Sequence, residues 1–171
     1  MNRLFLFVLI GFHLLNAEAQ EFYEWKKTYQ SPLYSYSITI PKTFKKIHSK
    51  RKNIDMKFQD DYGATILVNV TQRLPEEYSI TAHDFSKEML EQMYRQASPN
   101  IIISRAEKVY VGGQMAFLIE YSGGVSSKLK AMECYIYYSD KVFLITGTAG
   151  KIRFDNYKQL FEDALMSISY K

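Results

Sequence analysis

Residues 101–121 read IIISRAEKVYVGGQMAFLIEY. Two runs of strand length, rich in Ile, Val, Phe and Tyr, flank Gly112-Gly113. That two-residue hinge suits a tight hairpin, whose central positions take the positive φ that glycine tolerates. The stretch therefore predicts two antiparallel strands, 101–111 and 114–121. Downstream, past a flexible loop at 123–127, strands 129–138 and 142–148 form a further hairpin turning at Ser139-Asp140-Lys141. Tyr157, Leu160, Phe161, Ala164, Leu165 and Ile168 then recur at i, i+3, i+4, i+7, i+8 and i+11, the stripe of an amphipathic helix.

Working upstream gives the same vocabulary. Residues 53–59 and 64–71 pair around Asp60-Asp61-Tyr62-Gly63, a turn signal. Thr81-Ala82-His83-Asp84 has the form of a capping box and opens a helix to Ala97, with Phe85, Met89, Leu90, Met93, Tyr94 and Ala97 as its apolar stripe. Residues 35–40 make a strand that Pro41 stops, and a basic connection runs from Lys42 to Lys52. Hairpin-linked strands interrupted by one helix and closed by another define an α+β class, an antiparallel sheet with flanking helices.

The chain has 171 residues, 47% hydrophobic, with a net charge of +4. That is one domain's worth of chain, and its apolar content excludes disorder. Arg3 followed by the apolar run 4–15 and by Ala17-Glu18-Ala19 is the pattern of a secretory leader cleaved after residue 19. The run is too short to cross a hydrocarbon core of roughly 30 Å. The expected organisation is a leader at 1–19, an N-terminal segment at 20–33 carrying Trp25, which docks as an edge strand or stays mobile, and one domain at 34–171. The mature protein is thus expected to be exported, periplasmic or extracellular, with no membrane anchor. Its sole cysteine, Cys134, alternates with Met132 and Ile136 on an apolar strand face and reads as buried.

Three stretches carry a family resemblance. Ser37-Ile38-Thr39-Ile40-Pro41-Lys42-Thr43-Phe44 resembles the opening strand, proline and aromatic of PsbP-like domains. Val111-Gly112-Gly113-Gln114-Met115-Ala116 is similar to their glycine hairpin, and Phe161-Glu162-Asp163-Ala164-Leu165-Met166-Ser167-Ile168 to their closing helix. The resemblance spans residues 34–170 and implies an α/β/α sandwich with a non-catalytic binding or accessory role, in a superfamily that includes exported bacterial proteins of unknown role. It transfers no specific site.

The residues themselves give little to catalysis. Beyond the leader only His48 and His83 remain, and neither lies in a nucleophile or metal motif. His83-Asp84 with Cys134 as nucleophile is the one conceivable constellation; as the first turn of a helix, the pair has a simpler role. Asp60-Asp61 and Glu76-Glu77 lack the spacing of a calcium loop, so no metal and no cofactor are expected. Two features remain as binding candidates. Lys42, Lys45, Lys46, Lys50, Arg51 and Lys52 form a cationic loop for an anionic envelope component or protein face, since export argues against nucleic acid. The alternating pairs Tyr34/Tyr36 and Tyr135/Tyr137 form either an aromatic surface or a cover over the core. The competing function is a small-ligand carrier or small hydrolase, with a tyrosine-lined pocket between sheet and helix.

Overall fold

The computed structural model describes residues 26–124 and 126–171; the expected leader and Trp25 lie outside the described residues. In chain order the elements are β1 (Lys26–Gln30), β2 (Tyr36–Pro41), β3 (Lys45–Ile47), β4 (Ile54–Gln59), β5 (Thr65–Gln72), α1 (Lys87–Ala97), β6 (Ile102–Val111), β7 (Gln114–Gly123), β8 (Ser126–Tyr138), β9 (Lys141–Gly150), α2 (Phe154–Met166) and β10 (Ser169–Tyr170). Single 3-10 turns stand at Pro75–Glu77 and Ala82–Asp84.

Seven strands form one antiparallel sheet in the order β3-β4-β5-β9-β8-β7-β6, and β1-β2-β10 form a second. The three expected hairpins are present, β4/β5, β6/β7 and β8/β9. Gly112 and Gly113 turn the second of them at φ 57° and 80°. Two short strands, β3 and β10, escaped the sequence reading because each has too few residues to show a period, whereas β1 is the edge-strand alternative expected for the N-terminal segment. β3 lies inside the basic connection expected over 42–52, so that stretch is an edge strand with flanking loops. β1 and β10 pair with β2 from either side.

Period-two alternation gives the large sheet two apolar faces, and each helix covers one. Phe161, Ala164 and Leu165 of α2 pack with Ile66, Val68, Met132, Cys134, Ile136 and Ile145, under β2's Tyr36, Ile38 and Ile40. Gly147 of β9 has no side chain because the Phe161 ring fills its place: a Cβ there would lie 2.5 Å from Phe161 Cγ. On the other face, Leu90 and Tyr94 of α1 join Ala82 and Phe85 over Phe117 and Ile119.

The capping box at Thr81 exists, but it caps the 3-10 turn at 82–84 rather than a helix. Phe85 is extended, which lets its ring stack on Tyr137 (5.6 Å) and meet Phe117 edge-on (6.1 Å). The helix then starts afresh at Lys87, with the Ser86 hydroxyl accepting from the Met89 amide. Of the expected stripe, Leu90 is buried and Tyr94 half-buried, whereas Met89 and Met93 are about half exposed.

Cys134 is fully buried under α2, and burial pushes its thiol up to about 12. A thiol reagent at pH 8 is therefore expected to leave the native protein unmodified and to titrate one thiol per chain in denaturant. Labelling of the native protein at the denatured rate would mean that the α2 face opens.

Candidate functional site

Alternation along β8 sends Glu133, Tyr135 and Tyr137 to the face opposite Cys134, beneath α1. Glu133 is 8% exposed. Its Oε1 accepts from the Tyr121 hydroxyl (2.9 Å) and, at longer range, from Thr146 (3.4 Å). Its Oε2 accepts from Tyr94, which descends from α1, and lies 3.5 Å from the Tyr135 hydroxyl. The Tyr94 and Tyr135 hydroxyls are themselves 3.0 Å apart. Four hydroxyls from four elements thus converge on one carboxylate.

No lysine, arginine or histidine among the described residues comes within ion-pair distance of it. A buried carboxylate without a cation is costly, and the hydroxyls are what the fold supplies in place of water. Burial first, and then the Glu133 charge, push the Tyr94, Tyr121 and Tyr135 phenols far above their ordinary range. They remain protonated donors at any physiological pH.

The quartet forms the polar end of a cleft of about 630 Å³ between the C-terminal half of α1 and the sheet. Its remaining walls are largely apolar, with Met93, Ala97, Ile101, Leu129 and Ala131. Lys130 borders the same cleft, but its ammonium turns to the other side of the sheet, where it pairs with Glu120 (2.7 Å) and lies over the Phe154 ring (4.7 Å). The concavity is of ligand-binding size, and its composition, apolar walls around a few convergent polar groups, is that of small-molecule sites.

The other sequence candidates fall elsewhere. All six cations of the basic run are exposed; Lys45 pairs with Asp61 (2.7 Å), and the other five have no carboxylate within 4 Å among the described residues. Lys45 and Lys46 lie on β3, the edge of the large sheet, where charge blocks pairing with another chain. Tyr34/Tyr36 and Tyr135/Tyr137 belong to separate parts of the molecule and make no common surface. Tyr36 is core, 1% exposed, with its hydroxyl on Asp55 (2.6 Å). Tyr135 is a cleft residue, and Tyr137 lies beyond it under Phe85 and Arg73.

Glu133 is the residue that sequence reasoning missed. The signal was present: an acid in the middle of an apolar strand, in phase with two tyrosines. The conceivable triad is taken apart by the sheet. Cys134 faces α2, while exposed His83 stands on the α1 side, and Asp84 accepts from the Thr81 amide (2.7 Å) and hydroxyl (3.0 Å). Among the described residues, no group of three or more His, Cys, Asp or Glu is arranged to hold a metal ion. No described helix is long and apolar enough to cross a membrane.

Two layers of helix around an antiparallel sheet, with a short second sheet knit from both ends of the chain, make an α+β protein of the PsbP-like fold. Solved structures bear this out. The solution structure of cyanobacterial PsbP from Synechocystis sp. PCC 6803 superposes with a TM-score of 0.65 at 16% identity, over 85% of this chain and 92% of that one. The Ran-binding protein Mog1p of Saccharomyces cerevisiae gives 0.58 at 8% identity, over 85% and 95%. LpqN of Mycobacterium tuberculosis, involved in cell envelope biogenesis, gives 0.57 at 10% identity, over 84% and 89%. No protein family's sequence profile matches the chain, and a comparison with curated proteins finds no match.

Proposed function

We propose that this chain is an exported, non-catalytic binding protein whose ligand site is the cleft between α1 and the sheet. The observation that carries this reading is the quartet of Glu133 with Tyr94, Tyr121 and Tyr135 at the end of an apolar concavity. The leader pattern at 1–19 supports export, and the pairing of β1 with β2 supports a single domain in which β1 is an outer strand. The separation of Cys134 from His83 and Asp84 supports a binding role over a hydrolytic one. So does the fold, which serves Ran binding in Mog1p.

A thermal-shift panel of apolar and amphipathic small molecules, read at low and moderate salt, tests the cleft. A ligand at a hundred times its dissociation constant adds about 2.7 kcal/mol, a rise of several degrees in a domain of this size. The shift is expected to be insensitive to salt and to vanish in Ala97→Trp. Ala97 is exposed on the last turn of α1, so a large ring there blocks the cleft without disturbing the core. A shift that survives in Ala97→Trp places the ligand elsewhere.

The unpaired cations Lys42, Lys46, Lys50, Arg51 and Lys52 favour a second reading, in which the loop around β3 holds an anionic envelope component or an acidic protein face. Its signature is opposite. Sulfated polyanions raise the melting point at low salt only, because screening shortens the reach of exposed charges. Joint neutralisation of Lys45, Lys46, Lys50 and Arg51 removes that shift and leaves cleft ligands unaffected.

A further inference from the structure

The chemistry of the cleft narrows its ligand beyond "small and apolar". Most acceptor positions of Glu133 are already occupied. Oε1 receives Tyr121 and Thr146, and Oε2 receives Tyr94 with Tyr135 beside it. A carboxylate offers about four lone-pair positions, so with these donors in place a ligand N–H finds at most one free. The negative charge, however, is not neutralised by any cation among the described residues. Hydrogen bonds from neutral phenols spread that charge but do not cancel it. What the site lacks is positive charge; it does not lack a donor.

The rings point the same way. Tyr121 and Tyr135 stand at 63° and 85° to the Tyr94 ring, with centroids 5.2 and 6.4 Å from it, so three aromatic rings in different planes gather around the anionic end. An aromatic cluster of this kind attracts a cation that carries no N–H, through the ring quadrupoles, and a quaternary ammonium is the cation suited to it. From there the apolar walls formed by Met93, Ala97, Ile101 and Leu129 continue along the cleft, room for a hydrocarbon chain. We propose that the cleft binds a quaternary-ammonium amphiphile, its trimethylammonium head at the Glu133–tyrosine quartet and its alkyl chain along α1. The inference rests on the reading of the cleft as the ligand site.

The probes are dodecyl chains below their micelle-forming concentrations, titrated calorimetrically into the purified protein. Dodecyltrimethylammonium is expected to bind at least tenfold more tightly than dodecyl maltoside, which has the same tail and no charge. It is also expected to bind severalfold more tightly than dodecylammonium, whose more strongly hydrated head finds the Glu133 oxygens largely taken. Glu133→Gln preserves the shape of the site and is expected to bring dodecyltrimethylammonium down to the level of the maltoside, a loss of tenfold or more, with maltoside binding unchanged. The comparison of head groups on the unmutated protein stands even if that variant folds poorly. Equal binding of both heads, unaffected by Glu133→Gln, overturns the charge inference and leaves the cleft as an apolar site. Tighter binding of dodecylammonium overturns the quaternary assignment. Failure of every dodecyl probe to bind overturns this inference and the cleft reading together.

Discussion

Gly147→Ala lowers the unfolding free energy by about 3 kcal/mol, the upper part of the usual range for overpacking a core. In most strands the same change is neutral or helpful, because it removes backbone freedom from the unfolded chain. Here the added Cβ meets Phe161 Cγ at 2.5 Å and Phe161 Cβ at 2.8 Å. Neither partner can give way. Gly147 sits on a central strand, paired with Ile66 on one side and Met132 on the other. Phe161 is fully buried against Phe44, Phe154 and Tyr157. In a domain of this size the loss amounts to a fall of about 6–12 °C in melting temperature. Phe161→Ala alone costs about 3–5 kcal/mol through the cavity it leaves. The double variant is expected to be more stable than the sum of the two losses implies, since the new methyl enters space that the ring has vacated. Strict additivity in urea unfolding would show that α2 has shifted and that the two residues no longer meet.

Acid is expected to weaken the fold through Glu120 in particular. Its side chain is 3% exposed and stands 2.7 Å from the Lys130 ammonium, 2.8 Å from that of Lys158 and 2.9 Å from the Ser104 hydroxyl. Burial pushes its carboxyl up, but the two ammonium groups and the hydroxyl more than offset this and hold it down at about 2, against an ordinary 4.5. Folding therefore favours the ionised form. That contribution is complete above about pH 5 and is lost as the pH falls from there towards 2, on the order of 3 kcal/mol in all. Urea unfolding of the protein and of Glu120→Gln at pH 7, 4 and 2 measures it. The variant is expected to be the less stable at pH 7, with Lys158 left unmatched and Lys130 left only Asp155 at 3.5 Å, and to converge on the parent by pH 2. Parallel pH curves for the two proteins would place the acid sensitivity at another group.

What could be read from the sequence was what repeats within a few residues. The Gly112-Gly113 turn, the three hairpins and the α2 stripe are local patterns, and the structure has them within a few residues of the expected positions. Cys134 was legible too, because alternation with Met132 and Ile136 is a local fact. β3 and β10 were not: three and two residues are too few to show a period, and β10 exists only through a partner far back along the chain. The break at Phe85 has the same origin: Tyr137 and Phe117, remote in sequence, decide where that ring goes. The basic run was visible as charge, but its position on a sheet edge was not. Most instructive is the quartet. Its three tyrosines and the Thr146 hydroxyl that joins them come from α1, β7, β8 and β9, so no spacing rule unites them, and the one local sign was an acid in phase with two tyrosines in β8.

The small sheet also bears on the order in which the chain is made. β2 has one side zipped by β1 soon after synthesis, but its other side is closed by Ser169 and Tyr170 pairing with Ser37 and Tyr36. The Lys171 amide adds a bond to the Ser35 carbonyl, and the Tyr170 ring stacks on Tyr138 at 4.0 Å. Those contacts join stretches far apart in sequence, which makes the last step of assembly both late and slow. A nascent chain lacking residues 169–171 has an open edge at β2 and an uncovered Tyr138. The small sheet is therefore complete only once two stretches more than a hundred residues apart have both met β2.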